Sequence, residues 1–234
     1  MAPKISLYTA HHCPWAHRAQ IALRELDLEF ETVLVDINIP RTPEYLAINP
    51  SGLVPALVYD GHVLTESGLI TQFLVDSHPS HLLKSSFELG GALQRFSVTF
   101  FVDSYIKAHG FFDTAVYSYD REQEATAAQK YIDAIVSNIE PLLVDAAPFF
   151  GGSFRLTFAE VQTGSFLLRV LALPRHGGIL PDCFIKDLEG KAPNFWRWSH
   201  AVIGEKTVTA IWDERDVVKR TLARIETAKR RGKP

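Results

Sequence analysis

The sequence predicts an α/β domain followed by an all-helical domain. Over the first 80 residues, short β-branched runs alternate with helical patterns, whereas from Phe87 onward apolar residues recur at three- and four-residue steps. The chain has 234 residues, of which 47% are hydrophobic and 22% charged, a composition typical of a globular protein with a sizeable core. We place the two domains at residues 1–83 and 88–228, with a basic tail at 229–234.

The elements of the first domain are predicted as β-α-β followed by α-β-β-α. The strand Ile5–Thr9 precedes a helix over residues 15–26, and Pro14 suits the start of that helix because the missing N–H would be unpaired there. The later elements are a strand over 29–37, a helix over 42–48, a hairpin of strands 56–59 and 62–64 around Asp60-Gly61, and a helix over 67–77.

The helical domain contains one distinctive junction, Leu156-Thr157-Phe158-Ala159-Glu160. A Thr followed three residues later by Glu, before an apolar run, is the pattern of a capping box, and Leu156 can act as its hydrophobic staple. Apolar residues on both sides predict that this cap is buried and that a helix runs from Phe158 to about residue 171. A helix start on the surface is the alternative.

Charge and cysteine content exclude several classes of protein. The chain has 24 basic and 27 acidic residues, so no global positive field attracts a nucleic acid or an anionic membrane. The two cysteines, Cys13 and Cys183, form no disulfide framework and fit a reducing compartment. No apolar stretch resembles a membrane span or a secretory signal. We therefore expect a cytoplasmic protein without a nucleic-acid or membrane partner.

Cys13 is the candidate nucleophile. It stands directly before Pro14 and the first predicted helix, where unpaired N–H groups and the helix dipole stabilise a thiolate. Position 16 is alanine, so the loop lacks a second cysteine and Cys13 must act as a single thiol. A buried structural thiol is the alternative for Cys13, and it is the expected role of Cys183, which lies among apolar residues.

The histidines around Cys13 raise the question of a metal site. Cys13 and His17 are four residues apart and can share a helix face, with His11 and His12 nearby. No second cluster of ligands completes a tetrahedral site, so we expect no metal. A cysteine-hydrolase site is also disfavoured, because nothing in the sequence marks a general base or an oxyanion hole.

Two further segments suit a peptide-like ligand. Val54-Pro55 lies between a loop and a strand, and a cis bond there would turn the backbone N–H and C=O of Val54 toward a ligand. An ordinary trans proline is the alternative. Glu66-Ser67 opens a helix, where a carboxylate, a hydroxyl and unpaired N–H groups suit a zwitterionic end. By itself this pair is also consistent with a simple capped helix.

Taken in order, these segments resemble the cytosolic glutathione transferases. The matching residues are Cys13-Pro14-Trp15-Ala16, Asn49 to Pro55, Glu66-Ser67, the Thr157–Glu160 cap and the segment from Pro193 to Trp198. The resemblance covers nearly the whole chain, and the cysteine at the catalytic position is similar to the omega class and its fungal relatives. It implies the glutathione transferase fold, in which a thioredoxin-like N-terminal domain binds glutathione and an all-helical domain holds a hydrophobic co-substrate, in a homodimer.

The resemblance also implies roles for single residues. Val54 and Pro55 would hold the cysteinyl backbone of glutathione, Glu66 and Ser67 its γ-glutamyl end, and Trp15 would join this site. Omega members often carry a lysine at the position of Thr42 for the glycyl carboxylate, and the neighbouring Arg41 would replace it. The co-substrate pocket would include His12, Trp15, Tyr105 and Phe112. The aromatic spacing of this region equally suits core and dimer packing, and we expect core for most of Phe96, Phe100, Phe101, Tyr105, Phe111 and Phe112.

The activity implied by the resemblance is glutathione-dependent transfer to a hydrophobic electrophile, with Cys13 as the catalytic residue. Cys13 would form a mixed disulfide with glutathione in thiol exchange, or assist the glutathione thiolate in conjugation. A glutathione-dependent cis–trans isomerase of an unsaturated metabolite is one alternative. A glutathione-binding relative without turnover is another.

Overall fold

The N-terminal part of the chain is a four-stranded mixed sheet with three helices. A computed structural model describes residues 3–118 and 120–231. Strands β1 (Ile5–Thr9), β2 (Glu31–Leu34), β3 (Ala56–Tyr59) and β4 (His62–Thr65) have the spatial order β2-β1-β3-β4. Helices α1 (Pro14–Glu25), α2 (Pro43–Ile48) and α3 (Ser67–Ser77) complete this part, so the predicted order of elements is confirmed.

Strand pairing makes the sheet mixed. β1 and β2 are parallel, whereas β3 is antiparallel to both β1 and β4. β2 is shorter than the predicted strand over residues 29–37, and its pairing with β1 ends at Thr9, whose carbonyl still accepts from the Val35 N–H at 2.8 Å. The chain beyond β2 therefore forms a loop.

The second part is helical, as predicted. Helix α5 continues into a π-helical turn over Ile135–Ile139, and short 3₁₀ segments follow at Glu140–Leu143, Phe150–Gly152 and Leu173–Arg175. The α-helices are α4 (Gly91–Val116), α5 (Arg121–Ala134), α6 (Phe158–Ala172), α7 (Phe184–Lys191), α8 (Pro193–Ile203), α9 (Lys206–Thr209) and α10 (Glu214–Arg231). Helix α6 is buried along its whole length and packs against α1, α4 and α8.

Helix α10 overlaps the predicted C-terminal tail. The helix includes the first residues of the tail placed at 229–234, and residues 232–234 lie outside the described residues. The domain limits at 83 and 88 stay predictions. In the part of the chain that the structure describes, no helix combines the length and apolarity needed to cross a membrane.

The start of α6 is capped by Thr157 and Glu160. The Thr157 hydroxyl accepts a hydrogen bond from the Ala159 N–H at 3.1 Å, and the Glu160 carboxylate accepts one from the Thr157 N–H at 2.7 Å. The same carboxylate accepts from the Phe150 N–H at 2.8 Å and from the Trp198 indole N–H at 2.7 Å. Burial raises the pKa of Glu160, and these donors oppose the shift. The predicted buried capping box is therefore confirmed.

Helix α4 is apolar on two faces. One face lies in the core and includes Phe101, Tyr105 and Phe112. The opposite face carries a row that we call the outer stripe, Leu93, Phe96 and Phe100, whose exposed fractions are 70%, 66% and 50%. The expectation of core aromatics is confirmed for the first face and wrong for Phe96, Phe100 and Phe111, which is 38% exposed. Both faces have helical spacing, so the spacing alone could not tell them apart.

Candidate active site

Strand register brings the candidate segments to one edge of the sheet. Tyr8, near the end of β1, pairs with Ala56 at the start of β3, and Ala56 pairs with Thr65 at the end of β4. The segments that follow β1, precede β3 and follow β4 therefore meet at this edge. They contain Cys13, Val54-Pro55 and Glu66-Ser67.

Cys13 is the residue immediately before α1. Its N–H donates to the Ala10 carbonyl at 2.9 Å, and its own carbonyl accepts from the His17 N–H at 3.1 Å. A tight turn and the first helical bond thus fix its backbone. The side chain makes no capping hydrogen bond and is partly exposed. The thiol is held at a helix N-terminus and is available for reaction.

Two side chains of α6 hold the loop around Cys13. Arg169 Nη2 donates to the His12 carbonyl at 2.8 Å, and Ser165 Oγ donates to the Pro14 carbonyl at 2.8 Å. Burial lowers the pKa of Arg169 to about 10, and attraction to Cys13 opposes this shift. The helical part therefore positions the candidate nucleophile and places a buried positive charge near it.

The Val54–Pro55 bond is cis, which confirms the expectation for this segment. The preceding residue, Leu53, is held in place because its carbonyl accepts from Asn49 Nδ2 at 2.8 Å and from the Tyr45 hydroxyl. Val54 is partly exposed, whereas Pro55 is buried. The segment is thus fixed at the sheet edge with Val54 within reach of solvent.

Glu66 and Ser67 form the start of α3. Glu66 has φ 66° and ψ 108°, a conformation that L-residues rarely adopt, and its exposed side chain makes no capping hydrogen bond. Ser67 is buried, and its hydroxyl accepts from Arg18 Nη1 at 3.3 Å. Strained polar residues of this kind cluster at ligand sites, where the surrounding structure holds them in place.

The Arg41 guanidinium makes several hydrogen bonds to backbone carbonyls of its own chain. Its guanidinium donates to the carbonyls of Gly52 at 2.8 Å, Asp36 at 2.9 Å, Ile39 at 2.5 Å and Ile37 at 3.2 Å. These four bonds tie the loop after β2 to the segment before β3 and occupy most of the guanidinium N–H groups. A contact between Arg41 and a glycyl carboxylate stays a prediction.

The residues assigned to a co-substrate pocket differ in burial. Tyr105 and Phe112 are 0% and 1% exposed, and their place in the packed core corrects the expectation that they line a pocket. Trp15 is 40% exposed and packs edge-on against Phe166, with ring centres 4.8 Å apart. His12 is partly buried, which lowers its pKa and leaves its imidazole neutral near pH 7. Of these four residues, His12 and Trp15 are neighbours of Cys13 in the chain and keep some exposure.

Two further expectations concern Cys183 and a metal. Cys183 is exposed directly before α7, so its expected role as a buried core residue is wrong. The apolar side chain that enters the core at this point is the next residue, Phe184. Within the described residues, no three His, Cys, Asp or Glu side chains converge on a position for a metal ion.

Sequence reasoning missed two arginines of this site, Arg18 and Arg169. Both are buried, at 5% and 7% exposure. Arg169 interrupts the apolar run from Phe166 to Ala172, which is a signal that could have been used. A charged residue within an apolar helical run predicts a buried charge that needs partners.

Comparison with known proteins identifies the first part of the chain. Residues 12–77 match the model of the glutathione S-transferase N-terminal domain. The chain is 35% identical over 96 residues to a maleylacetoacetate isomerase of Pseudomonas aeruginosa, an alignment that covers 39% of this chain and 45% of that protein. The chain spans less than half the length of the first curated relatives that it matches.

Solved structures resemble nearly the whole chain. The structure of rice GST1 in complex with glutathione has a TM-score of 0.82 at 23% identity, and the match covers 97% of this chain and 98% of that chain. The glutathione transferase Omega 2C of Trametes versicolor has a TM-score of 0.76 at 25% identity, with 95% and 99% covered. The resemblance is thus confirmed at the level of the fold: the chain has the fold of the cytosolic glutathione transferases, and residues 12–77 match the glutathione S-transferase N-terminal domain.

Proposed function

We propose that this chain is a glutathione-dependent transferase in which Cys13 is the nucleophile of thiol–disulfide exchange. The observation that carries the proposal is the meeting of Cys13, Val54 and Glu66-Ser67 at one edge of the sheet. The rice structure, which contains glutathione, and the omega-class structure support this assignment through their shared fold.

The edge offers a complementary group for each part of glutathione except the glycyl carboxylate. The exposed carboxylate of Glu66 suits the γ-glutamyl ammonium group, while the Ser67 hydroxyl and the N-terminus of α3 suit the neighbouring carboxylate. The backbone of Val54 suits the cysteinyl peptide groups. A ligand bound in this way brings its sulfur to the loop of Cys13.

Thiol exchange runs in two balanced steps. The Cys13 thiolate attacks the glutathionyl sulfur of a mixed disulfide, so that a Cys13–glutathione disulfide forms and the other thiolate leaves and takes a proton from water. A second glutathione thiolate then attacks that disulfide. This step releases oxidised glutathione and restores the Cys13 thiolate.

The decisive experiment compares two cysteine variants. Cys13→Ala removes the nucleophile, and we expect kcat/KM for glutathione-dependent reduction of hydroxyethyl disulfide to fall at least about 100-fold, which corresponds to roughly 2.7 kcal/mol. Cys183→Ala is the matched control and should retain full activity, because Cys183 is exposed at the start of a different helix. Unchanged activity of Cys13→Ala would overturn the proposal.

Isomerisation is a second candidate, favoured by the relative from Pseudomonas aeruginosa, which is named a maleylacetoacetate isomerase. In this reaction the glutathione thiolate adds to a conjugated alkene, the resulting single bond rotates, and elimination of the thiolate regenerates glutathione. Incubation with apolar electrophilic alkenes distinguishes the outcomes. Unchanged free thiol and mass with a shifted retention time indicate isomerisation, whereas consumed thiol and increased mass indicate conjugation.

We also propose that a second copy of the chain covers the outer stripe of α4. Exposed apolar side chains of the N-terminal part, Val63 at 45% and Leu69 at 68%, provide further apolar surface, and extended apolar surface marks protein interfaces. Light scattering should give about twice the chain mass of 26.2 kDa. Phe96→Glu should shift this mass toward the monomer, whereas Phe154→Glu, also exposed but outside the stripe, should not.

A further inference from the structure

Arg18 is a buried cation in α1, only 5% exposed. Its guanidinium lies between the rings of Trp15 and Phe166, at 4.8 and 5.1 Å from their centres, and Nε donates to the Gln162 carbonyl at 2.8 Å. No ion pair of the described residues includes Arg18. Burial lowers its pKa to about 10, so it keeps its charge at pH 7. Buried charges are normally paired, and this one has only neutral partners within the described chain.

The guanidinium lies beneath the first turn of α3. Nη1 donates to the Ser67 hydroxyl at 3.3 Å, and a Cβ added at Gly68 would lie 4.0 Å from the same nitrogen. Further hydrogen bonds hold the residues around this contact. Thr71 Oγ1 donates to the Ser67 carbonyl at 3.0 Å, and Gln162 Nε2 donates to Thr71 Oγ1. The position of Arg18 relative to Ser67 is therefore fixed by α1, α3 and α6 together.

The hydrogen bond from Arg18 determines what Ser67 can do. A hydroxyl whose oxygen already accepts from a guanidinium is left with its proton as a donor. A donor at the N-terminus of α3, backed by a buried positive charge, favours a carboxylate. Glu66, one residue earlier, has an exposed carboxylate and favours an ammonium group. Adjacent residues at the start of α3 therefore favour a carboxylate and an ammonium group, respectively.

We infer that Arg18 is a positioning residue for the α-carboxylate of an amino-acid ligand end, and that this carboxylate is the counter-ion that the buried guanidinium lacks. The inference rests on the proposed function, since the γ-glutamyl end of glutathione has this chemistry. It assigns to Arg18 the selection of ligands that carry both an α-carboxylate and an α-ammonium group. Arg18 acts through its hydrogen bond to the Ser67 hydroxyl and through the positive potential that its guanidinium creates at the start of α3.

The test uses three ligands that differ only at the γ-glutamyl end. Glutathione carries both charged groups, 4-aminobutanoyl-cysteinylglycine lacks the carboxylate, and glutaryl-cysteinylglycine lacks the ammonium group. We expect Arg18→Gln to weaken glutathione and the glutaryl compound at least tenfold in calorimetry. The 4-aminobutanoyl compound, which has no carboxylate to position, should change less than twofold. Arg18→Lys, which keeps the charge, should recover part of the affinity for glutathione.

Arg24→Gln is the matched control. Arg24 belongs to the same helix, donates to the Gln20 carbonyl and lies 5.3 Å from the Phe30 ring centre, so it resembles Arg18 in its contacts without touching Ser67. We expect this variant to bind all three ligands as the wild type does. Equal weakening of all three ligands by Arg18→Gln would show a merely structural role and overturn the inference.

A second measurement uses wild-type protein only, so its outcome does not depend on whether a variant folds. In wild-type protein labelled with ¹⁵N-arginine, the Arg18 Nε–H resonance should shift with glutathione and the glutaryl compound and stay in place with the 4-aminobutanoyl compound. An equal shift with all three ligands would also overturn the inference. Wild-type protein that binds none of them would refute the proposed function itself, a result distinct from failure of the Arg18 assignment alone.

Discussion

The two cysteines of this chain occupy the same local position in different surroundings. Cys13 and Cys183 each stand directly before a helix, and neither side chain makes a capping hydrogen bond. The loop of Cys13 is held by Arg169 and Ser165 from α6. Cys183 is exposed, and the first turn of its short helix carries the acidic Asp187.

We infer from this comparison that a helix N-terminus does not by itself make a reactive site. Both thiols stand at a helix start, and the buried Arg169 lies near Cys13, since attraction to Cys13 acts on the pKa of Arg169. We therefore expect the reactivity of Cys13 to depend on its distant partners in sequence rather than on the helix alone.

The largest expected effect concerns the burial of α1, which anchors Cys13. His17 is fully buried, and burial together with the charge of Arg169 lowers its pKa to about 3. The unfolded chain takes up a proton on this histidine below about pH 6.5 while the native protein does not, so stability falls as the pH decreases. Between pH 7 and pH 5 the loss due to His17 should be about 2 kcal/mol. Urea unfolding at both pH values measures it.

The control for this prediction is a second histidine. His17→Leu should remove about 2 kcal/mol of the pH-dependent loss, whereas His62→Leu, at an exposed position of β4, should leave the loss unchanged. If wild type and His17→Leu lose the same free energy of unfolding between the two pH values, His17 is not held neutral in α1.

The next effect compares the thiols directly. Iodoacetamide at neutral pH should label Cys13 about tenfold faster than Cys183, because a thiolate rather than a thiol is the nucleophile. Cys183 is the more exposed residue, so access alone predicts the reverse order. A mass-spectrometric time course gives both rates from one sample. Equal rates, or faster labelling of Cys183, would break the comparison.

The smallest effect isolates Arg169. Arg169→Met should slow the labelling of Cys13 about fivefold, because it removes a buried positive charge near the thiol and the hydrogen bond to the His12 carbonyl. The rate for Cys183 should not change and serves as the internal standard. Arg175→Met, at an exposed position shortly after α6, is the matched control and should label like the wild type. Retention of the wild-type Cys13 rate in Arg169→Met would assign the activation to the helix N-terminus alone.

The sequence predicts local features of this molecule better than distant ones. The hairpin around Asp60-Gly61, the capping box of α6 and the place of Cys13 before α1 all follow from residues a few positions apart, and the structure has each of them. These features depend on backbone geometry that neighbouring residues determine.

The features that the sequence did not predict depend on contacts or burial that local patterns do not encode. Arg41 looked available because nothing in its neighbourhood predicts that it bonds to the Gly52 carbonyl. The contact from Arg18 to Gln162 joins residues 144 positions apart, so no local pattern contains it. The outer stripe of α4 has the same spacing as the core face. Which apolar face is buried depends on the packing of other elements.

The bonds from α6 to the loop of Cys13 have a consequence for how such chains can be recombined. A chimera that keeps the N-terminal part and takes its helices from a relative would preserve the thiol and lose the side chains that hold the carbonyls on either side of it. Such a chimera should fold, bind its peptide ligand and react slowly. The nucleophile is encoded at residue 13, and its orientation is encoded at Ser165 and Arg169, which hold carbonyls 151 and 157 positions earlier in the chain.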